Sequence, residues 1–197
     1  MKAICVDPGA PGRLALRETP EPLPDSHEAV VQVRAFSLNR GEIRRAQTED
    51  AGARIGWDIA GVIERSAANG TGPAVGTRVV GLSSAMDGWA ERCAIPVHAL
   101  AELPDAVSFE AAATLPVAGL TALYGLERGE RLLGSRVLIT GATGGTGLFA
   151  VTLARLMGAH VVAHVRRPEQ VALVREAGAT DVVAHPEGEG LERHGPY

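Results

Sequence analysis

The chain has 197 residues, of which 46% are hydrophobic and 21% are charged, and its formal net charge is −4 at pH 7. This composition is that of an ordinary globular protein and excludes a disordered or fibrous chain. No apolar run approaches the roughly 20 residues of a membrane-spanning helix, and the scattered arginines argue against nucleic acid as a partner.

Lysine and cysteine are scarce, and this excludes several kinds of chemistry. Lys2 is the only lysine among the 19 basic residues, so neither a Walker A phosphate loop nor a mid-chain Schiff-base lysine is available. Cys5 and Cys93 lie far apart and predict neither a disulfide framework nor a thiolate metal site. The bias towards arginine hints at a GC-rich bacterial genome. Because the N-terminal segment lacks a signal peptide's apolar stretch, we expect a cytoplasmic protein.

The first hundred residues predict a compact β domain. Residues 29–36 alternate apolar and polar side chains, the period-two pattern of a half-buried strand. Two further β-rich stretches, 58–64 and 77–82, are separated by asparagine, glycine and proline turn residues.

Residues 104–122 change this pattern and mark a domain junction. Ser108 begins an alanine-rich helix, and Pro116 breaks it. We therefore predict two domains, 1–117 and 118–197.

The second domain predicts alternating strands and helices. The segments SRVLIT, GATGGTG and LFAVTLARLMG indicate a strand, a glycine loop and a helix. A second strand (HVVAHV), a second helix after Pro168 and a third strand (DVVAH) follow. Because crossovers between parallel strands are right-handed, we expect one parallel sheet with both helices on a single face. The first helix is interrupted only by Thr152 and Arg155, so we expect protein on both its sides. The fold class is α/β plus β.

The glycine loop is the candidate site for a dinucleotide phosphate. Small residues where a strand turns into a helix let backbone N–H groups and the positive helix terminus approach a pyrophosphate. Against the G-x-G-x-x-G pattern, alanine replaces the first glycine, and a glycine-rich turn without a ligand is the alternative interpretation. The candidate cofactor-binding residues here are Gly141, Ala142, Thr143, Gly144, Gly145, Thr146 and Gly147.

Two arginines follow the second strand, where NAD-binding proteins carry an acidic residue for the ribose. Arg166 stands 19 positions after Gly147 (166 − 147 = 19), and Arg167 follows it. Because a guanidinium suits a phosphate, we predict NADPH as the cofactor in preference to NADH. A solvated arginine pair at the strand end is the alternative.

Taken in order, the motifs VGTRVVGL, DGWAERCAIP, LPVAGLTAL and VLITGATGGTG resemble the medium-chain dehydrogenase/reductase superfamily, in its zinc-independent quinone oxidoreductase-like branch. The resemblance covers essentially the whole chain. It implies a GroES-like N-terminal catalytic domain, the first half of a Rossmann doubly wound parallel sheet, and hydride transfer from NADPH to a small-molecule quinone or activated alkene. It also implies that Thr121 contacts the nicotinamide end of the cofactor.

The same resemblance argues against a metal. Zinc-dependent relatives carry a cysteine where this chain has Asn39 and a histidine where it has Trp57, and the six histidines form no cluster. Asn39 is therefore the candidate catalytic residue, donating to the substrate oxygen, and its alternative role is to tie down the local backbone. The resemblance places Glu42, Arg45 and Asp58 in the neighbourhood of the family's cleft. An ion pair that merely stabilises the domain would explain these residues equally well.

The chain stops at Tyr197, before the glycine-rich strand that follows in this family. We therefore expect a fragment, a truncated product or half of an assembly completed by another chain, and a homodimer remains open. A three-stranded sheet ending here would expose an apolar face and an open edge. Two functions stand: an NADPH-dependent, zinc-independent reductase of quinones or enones, represented here by its N-terminal part, and a catalytically silent nucleotide-binding or interaction module of the same ancestry, or an inactive fragment.

Overall fold

The computed structural model describes residues 1–197 and contains two compact units, Met1–Val117 and Ala118–Tyr197. Each unit is described by itself below. No helix in either unit is long and apolar enough to cross a membrane.

The first unit is built from antiparallel strands. Its strands are β1 (Lys2–Val6), β2 (Leu14–Glu18), β3 (Glu28–Phe36), β4 (Asp58–Arg65), β5 (Arg78–Leu82), β6 (Arg92–Pro96) and β7 (Leu100–Glu102). Five of them form one sheet in the order β6-β3-β4-β5-β7, and β1 pairs with β2. The strands predicted at 29–36, 58–64 and 77–82 are confirmed as β3, β4 and β5.

The core of this sheet is formed by apolar side chains that alternate along its strands. Val31, Ile59, Ile63, Val79 and Ile95 belong to one buried cluster and are each at most 1% exposed. Burial of such side chains is the main favourable contribution to folding, about 25 cal/mol per Å² of apolar surface.

Three α-helices begin in the first unit: α1 (Arg40–Ala46), α2 (Phe109–Ala113) and α3 (Pro116–Glu127). The helix start predicted at Ser108 is confirmed, because its side chain accepts a hydrogen bond from the Ala111 N–H at 3.1 Å. Pro116 separates α2 from α3 and opens α3, where its missing N–H needs no intrahelical partner.

The second unit contains β8 (Arg136–Ile139), α4 (Gly145–Leu156), β9 (His160–Val165), α5 (Val171–Glu176) and β10 (Asp181–Ala184). The three strands are parallel and lie in the order β10-β9-β8, as predicted.

Both helices of this unit pack on one face of the sheet, which confirms the prediction. Val151 of α4 and Val174 of α5 belong to the same buried cluster as Val161 and Ala163, which alternate along β9. The expectation of protein on both sides of α4 is wrong, because Leu156 is 77% exposed. Small buried residues on one side of this helix are enough to seat it on the sheet.

The opposite face of the sheet differs from the apolar, uncovered surface that the sequence predicted. Arg136, His160 and Asp181 lie on this face by their register, and Val162 beside them is fully buried. The Asp181 carboxylate accepts from His160 Nε2 at 2.8 Å and lies 3.4 Å from Nδ1 of His194 in the C-terminal segment. Polar side chains and the C-terminal segment therefore cover part of this face.

The Asp181 contacts predict a pH-dependent stability. The hydrogen bond from His160 lowers the pKa of Asp181 below its ordinary value of 3.8. A carboxyl with a lowered folded-state pKa stabilises the fold above its unfolded pKa, and this contribution is lost as the pH falls through the folded pKa. Asp181→Asn should therefore lower the urea midpoint at pH 6, with a difference from wild type that disappears as the pH falls through the folded-state pKa of Asp181. A difference that stays constant over this range would contradict the assignment.

Candidate functional site

The glycine loop makes a tight turn between β8 and α4. Gly141 adopts a φ of +62°, a conformation that favours glycine, and its carbonyl accepts from the Gly144 N–H at 3.0 Å. The Ala142 side chain is fully buried in the core of the second unit. Gly141 therefore adopts the turn conformation. It lies one residue before Ala142, which aligns with the first glycine of the G-x-G-x-x-G pattern.

Gly147 allows the first turn of α4 to lie directly against this loop. A Cβ atom at this position would be 2.2 Å from the Gly141 carbonyl oxygen and 2.8 Å from the Ala142 Cα. Since both neighbours are backbone atoms, neither can move aside without shifting the turn. The approach of the helix to the loop thus requires glycine at 147.

The N-terminus of α4 is open for hydrogen bonding. Gly144 is the N-cap and provides no side-chain cap, while Gly145 and Thr146 are exposed. The first turn of a helix has N–H groups without intrahelical acceptors, and the helix dipole adds positive potential there. This arrangement fits a bound diphosphate, because no side chain of the N-cap accepts a hydrogen bond from these N–H groups.

Helix α3 passes close to the same loop. A Cβ atom at Gly145 would lie 3.7 Å from the Ala118 Cβ. Thr121 follows Ala118 by one helical turn and is exposed. The structure therefore places the helix that carries Thr121 beside the start of α4.

The arginine segment also meets the glycine loop. Arg166 and Arg167 follow β9 directly, and both are exposed. The Gln170 side chain accepts from the Arg167 N–H at 3.2 Å and donates to Thr143 Oγ1 at 3.4 Å. Gln170 thus joins the two predicted cofactor-binding segments. Sequence reasoning missed it, although a glutamine three residues after a helix N-cap is a known capping pattern.

Asn39 lies in the first unit at the N-cap of α1. Its Nδ2 donates to Asp58 Oδ2 at 2.7 Å and to Ser37 Oγ at 3.3 Å. An amide nitrogen carries two hydrogens, so both have acceptors inside the protein. These contacts support the backbone-organising role of Asn39, and its contact with a substrate stays a prediction.

Two fully buried carboxylates, Glu42 and Asp58, lie close to Asn39. Glu42 accepts from the backbone N–H groups of Asn39 at 2.5 Å and of Trp57 at 2.6 Å. Burial raises the pKa of the Glu42 carboxyl, and these two hydrogen bonds oppose that rise. The spacing of Asn39 and Glu42 is that of a capping box, the signal from which their contact could have been predicted.

Asp58 connects three segments of the first unit. Its Oδ2 accepts from Ser37 Oγ at 2.5 Å as well as from Asn39, and its Oδ1 accepts from the Val117 N–H at 2.9 Å in the first turn of α3. The ion pair considered for this neighbourhood is absent, because Arg45 instead pairs with Glu49 at 2.6 Å. Neutral donors therefore satisfy both buried carboxylates.

The structure contains no group of three or more histidine, cysteine, aspartate or glutamate side chains arranged to hold a metal ion.

Comparisons with known protein families, sequences and structures give consistent results. Residues 25–105 match the alcohol dehydrogenase GroES-like domain family. The chain is 33% identical to a trans-enoyl reductase of Aspergillus terreus over 97% of its own length and 70% of that protein. It is 30% identical to the Homo sapiens quinone oxidoreductase over 100% of its length and 62% of that protein. The Escherichia coli quinone oxidoreductase complexed with NADPH matches 98% of the chain at 27% identity, with a TM-score of 0.87 and 61% of that protein covered.

The chain is shorter than each of these relatives. It spans 62% of the Homo sapiens quinone oxidoreductase and 6% of the highly reducing polyketide synthases that it also matches.

The close approach at Gly147 predicts a steric effect on stability. Gly147→Ala should lower the free energy of unfolding by about 1–3 kcal/mol or more, because the added methyl overlaps backbone atoms. Gly145→Ala is the matched control, since its methyl meets only Ala118 at an ordinary contact distance. Urea denaturation of both variants makes the comparison, and equal effects would contradict the assignment.

The buried position of Asp58 predicts a second stability effect. Asparagine keeps one acceptor oxygen but turns an N–H₂ group towards the donors of Ser37 and Asn39 or of Val117. Asp58→Asn should therefore cost about 1–3 kcal/mol of unfolding free energy. Asp50→Asn, at an exposed aspartate, should leave the urea midpoint nearly unchanged. The interpretation fails if the two variants are equally stable.

Proposed function

The chain belongs to the medium-chain dehydrogenase/reductase superfamily of oxidoreductases, in its quinone oxidoreductase-like branch, and on this premise we propose that it binds NADPH and reduces a quinone or an activated alkene without zinc. Its fold is a GroES-like β domain followed by the beginning of a Rossmann-type parallel sheet.

The observation that carries the proposal is the open helix terminus at Gly145. Its N–H groups follow a tight turn at Gly141, and glycine at 147 seats them close to the loop. A pyrophosphate suits such a terminus, because it accepts several hydrogen bonds and carries negative charge.

Preference for NADPH is supported by the residues beside this loop. Arg166 and Arg167 follow β9, and Gln170 ties their segment to Thr143. A 2′-phosphate at this end of the site would receive charge-assisted hydrogen bonds from a guanidinium. The relative from Escherichia coli is complexed with NADPH, in keeping with this choice.

The proposed reaction is the transfer of two electrons. NADPH supplies the hydride, and one proton completes reduction of the quinone to a hydroquinone or of the activated alkene to the saturated carbonyl compound. The glycine loop and the arginines bind and orient the cofactor, and Thr121 contacts its nicotinamide end. Asn39 and Asp58 organise the local backbone of the GroES-like domain, and solvent water is the proposed source of the proton.

An absorbance assay at the NADPH band tests the activity. The 197-residue chain is mixed with NADPH and a panel of quinones, enones and enoyl thioesters, and loss of absorbance is followed. Oxidation that requires an acceptor supports the reductase. Binding of NADPH without oxidation by any acceptor would favour a catalytically silent nucleotide-binding module or an inactive fragment instead.

Cofactor preference is tested by substituting the arginines. In the double variant Arg166→Ala with Arg167→Ala, NADPH affinity should fall about tenfold to a hundredfold, because a charged hydrogen bond contributes about 1.5–3 kcal/mol. NADH affinity should change little, since NADH has no 2′-phosphate. Arg131→Ala, at an exposed arginine elsewhere, is the control. Equal wild-type affinities for the two nucleotides would refute the preference.

A further inference from the structure

The segment after β9 contains a carboxylate as well as two guanidinium groups. Glu169 Oε1 lies 3.2 Å from Arg167 Nε, and both side chains are 67% exposed. Arg166 forms no ion pair in the structure, although it is the immediate neighbour of Arg167. The two arginines are therefore not equivalent: one is engaged by a carboxylate, and the other is not.

The position of this pair matters because its segment is attached to the glycine loop. Gln170 directly follows Glu169, and its side chain reaches Thr143 Oγ1. Gln170 also accepts from the Arg167 N–H, which fixes the backbone between the paired residues. Glu169 and Arg167 thus lie at the end of the proposed cofactor site where the adenosine ribose would be.

An ion pair at this position has a specific consequence for a phosphorylated ribose. A guanidinium already bound to a carboxylate has fewer donors available, so a 2′-phosphate must compete with Glu169 for Arg167. An exposed ion pair is weak, so the phosphate can displace the Glu169 carboxylate at a small cost. An unphosphorylated ribose requires no such displacement.

We propose that Glu169 is a specificity-determining residue that weakens the preference for NADPH by competing with the 2′-phosphate for Arg167. The proposal rests on the proposed binding of NADPH at the glycine loop. It assigns Arg166 as the guanidinium that is available without rearrangement and Arg167 as the one under the control of Glu169.

The test compares nucleotide affinities of the whole 197-residue chain by isothermal titration calorimetry. Glu169→Gln should bind NADPH about two- to fivefold more tightly than wild type, the effect of removing one exposed ion pair. Its affinity for NADH should stay the same. Glu176→Gln removes the same charge from an exposed position on α5 and should change neither affinity.

The mechanism is tested by repeating the substitution without Arg167. In an Arg167→Ala background, Glu169→Gln should no longer improve NADPH binding, because there is no guanidinium to release. A gain that persists there would overturn the proposal, since it would mean direct repulsion between Glu169 and the phosphate.

Failure of this inference can be distinguished from failure of the proposed function. If the wild-type chain binds NADPH but Glu169→Gln leaves the ratio of NADPH to NADH affinity unchanged, only the role of Glu169 is refuted. If the wild-type chain binds neither nucleotide, both proposals fall together.

Discussion

The contact between the first turn of α4 and the Gly141 carbonyl determines the geometry of the candidate cofactor site. A Cβ atom at residue 147 would lie 2.2 Å from that oxygen, so the helix can begin where it does only with glycine there. The N-cap of α4 is Gly144, which has no side chain to accept a hydrogen bond, so the first N–H groups of the helix stay open. Ala118 places the helix that carries Thr121 beside Gly145. Gln170 joins the segment of Arg166 and Arg167 to Thr143 of the glycine loop.

At the candidate site of the first unit, two buried carboxylates and their hydrogen-bond donors determine the local geometry. Glu42 and Asp58 are fully buried, and each receives hydrogen bonds from N–H or O–H donors instead of a cationic partner. Burial of a charged group without such donors is costly, so the surrounding backbone is held in one arrangement. This arrangement engages both amide hydrogens of Asn39, which makes Asn39 part of the framework of the site.

The sequence predicted the elements well because their signals are local. Alternation in 29–36 and the strand-loop-helix order after Ser135 were sufficient to place β3 and the parallel sheet. The contact of Gln170 with Thr143 spans 27 residues and has no local signal. The polar face around Asp181 was also missed, since a strand's alternation does not tell which face the C-terminal segment covers.

Binding of the NADPH diphosphate by the open N–H groups at the start of α4 can be observed directly by NMR. The chain is labelled with nitrogen-15, and its backbone amide signals are followed while NADPH is added. If these groups bind the diphosphate, the largest shifts should fall on the amides of Gly145, Thr146 and Gly147, and NADH and inorganic pyrophosphate should shift the same signals. Saturable binding of NADPH that leaves these three amides unmoved would contradict it.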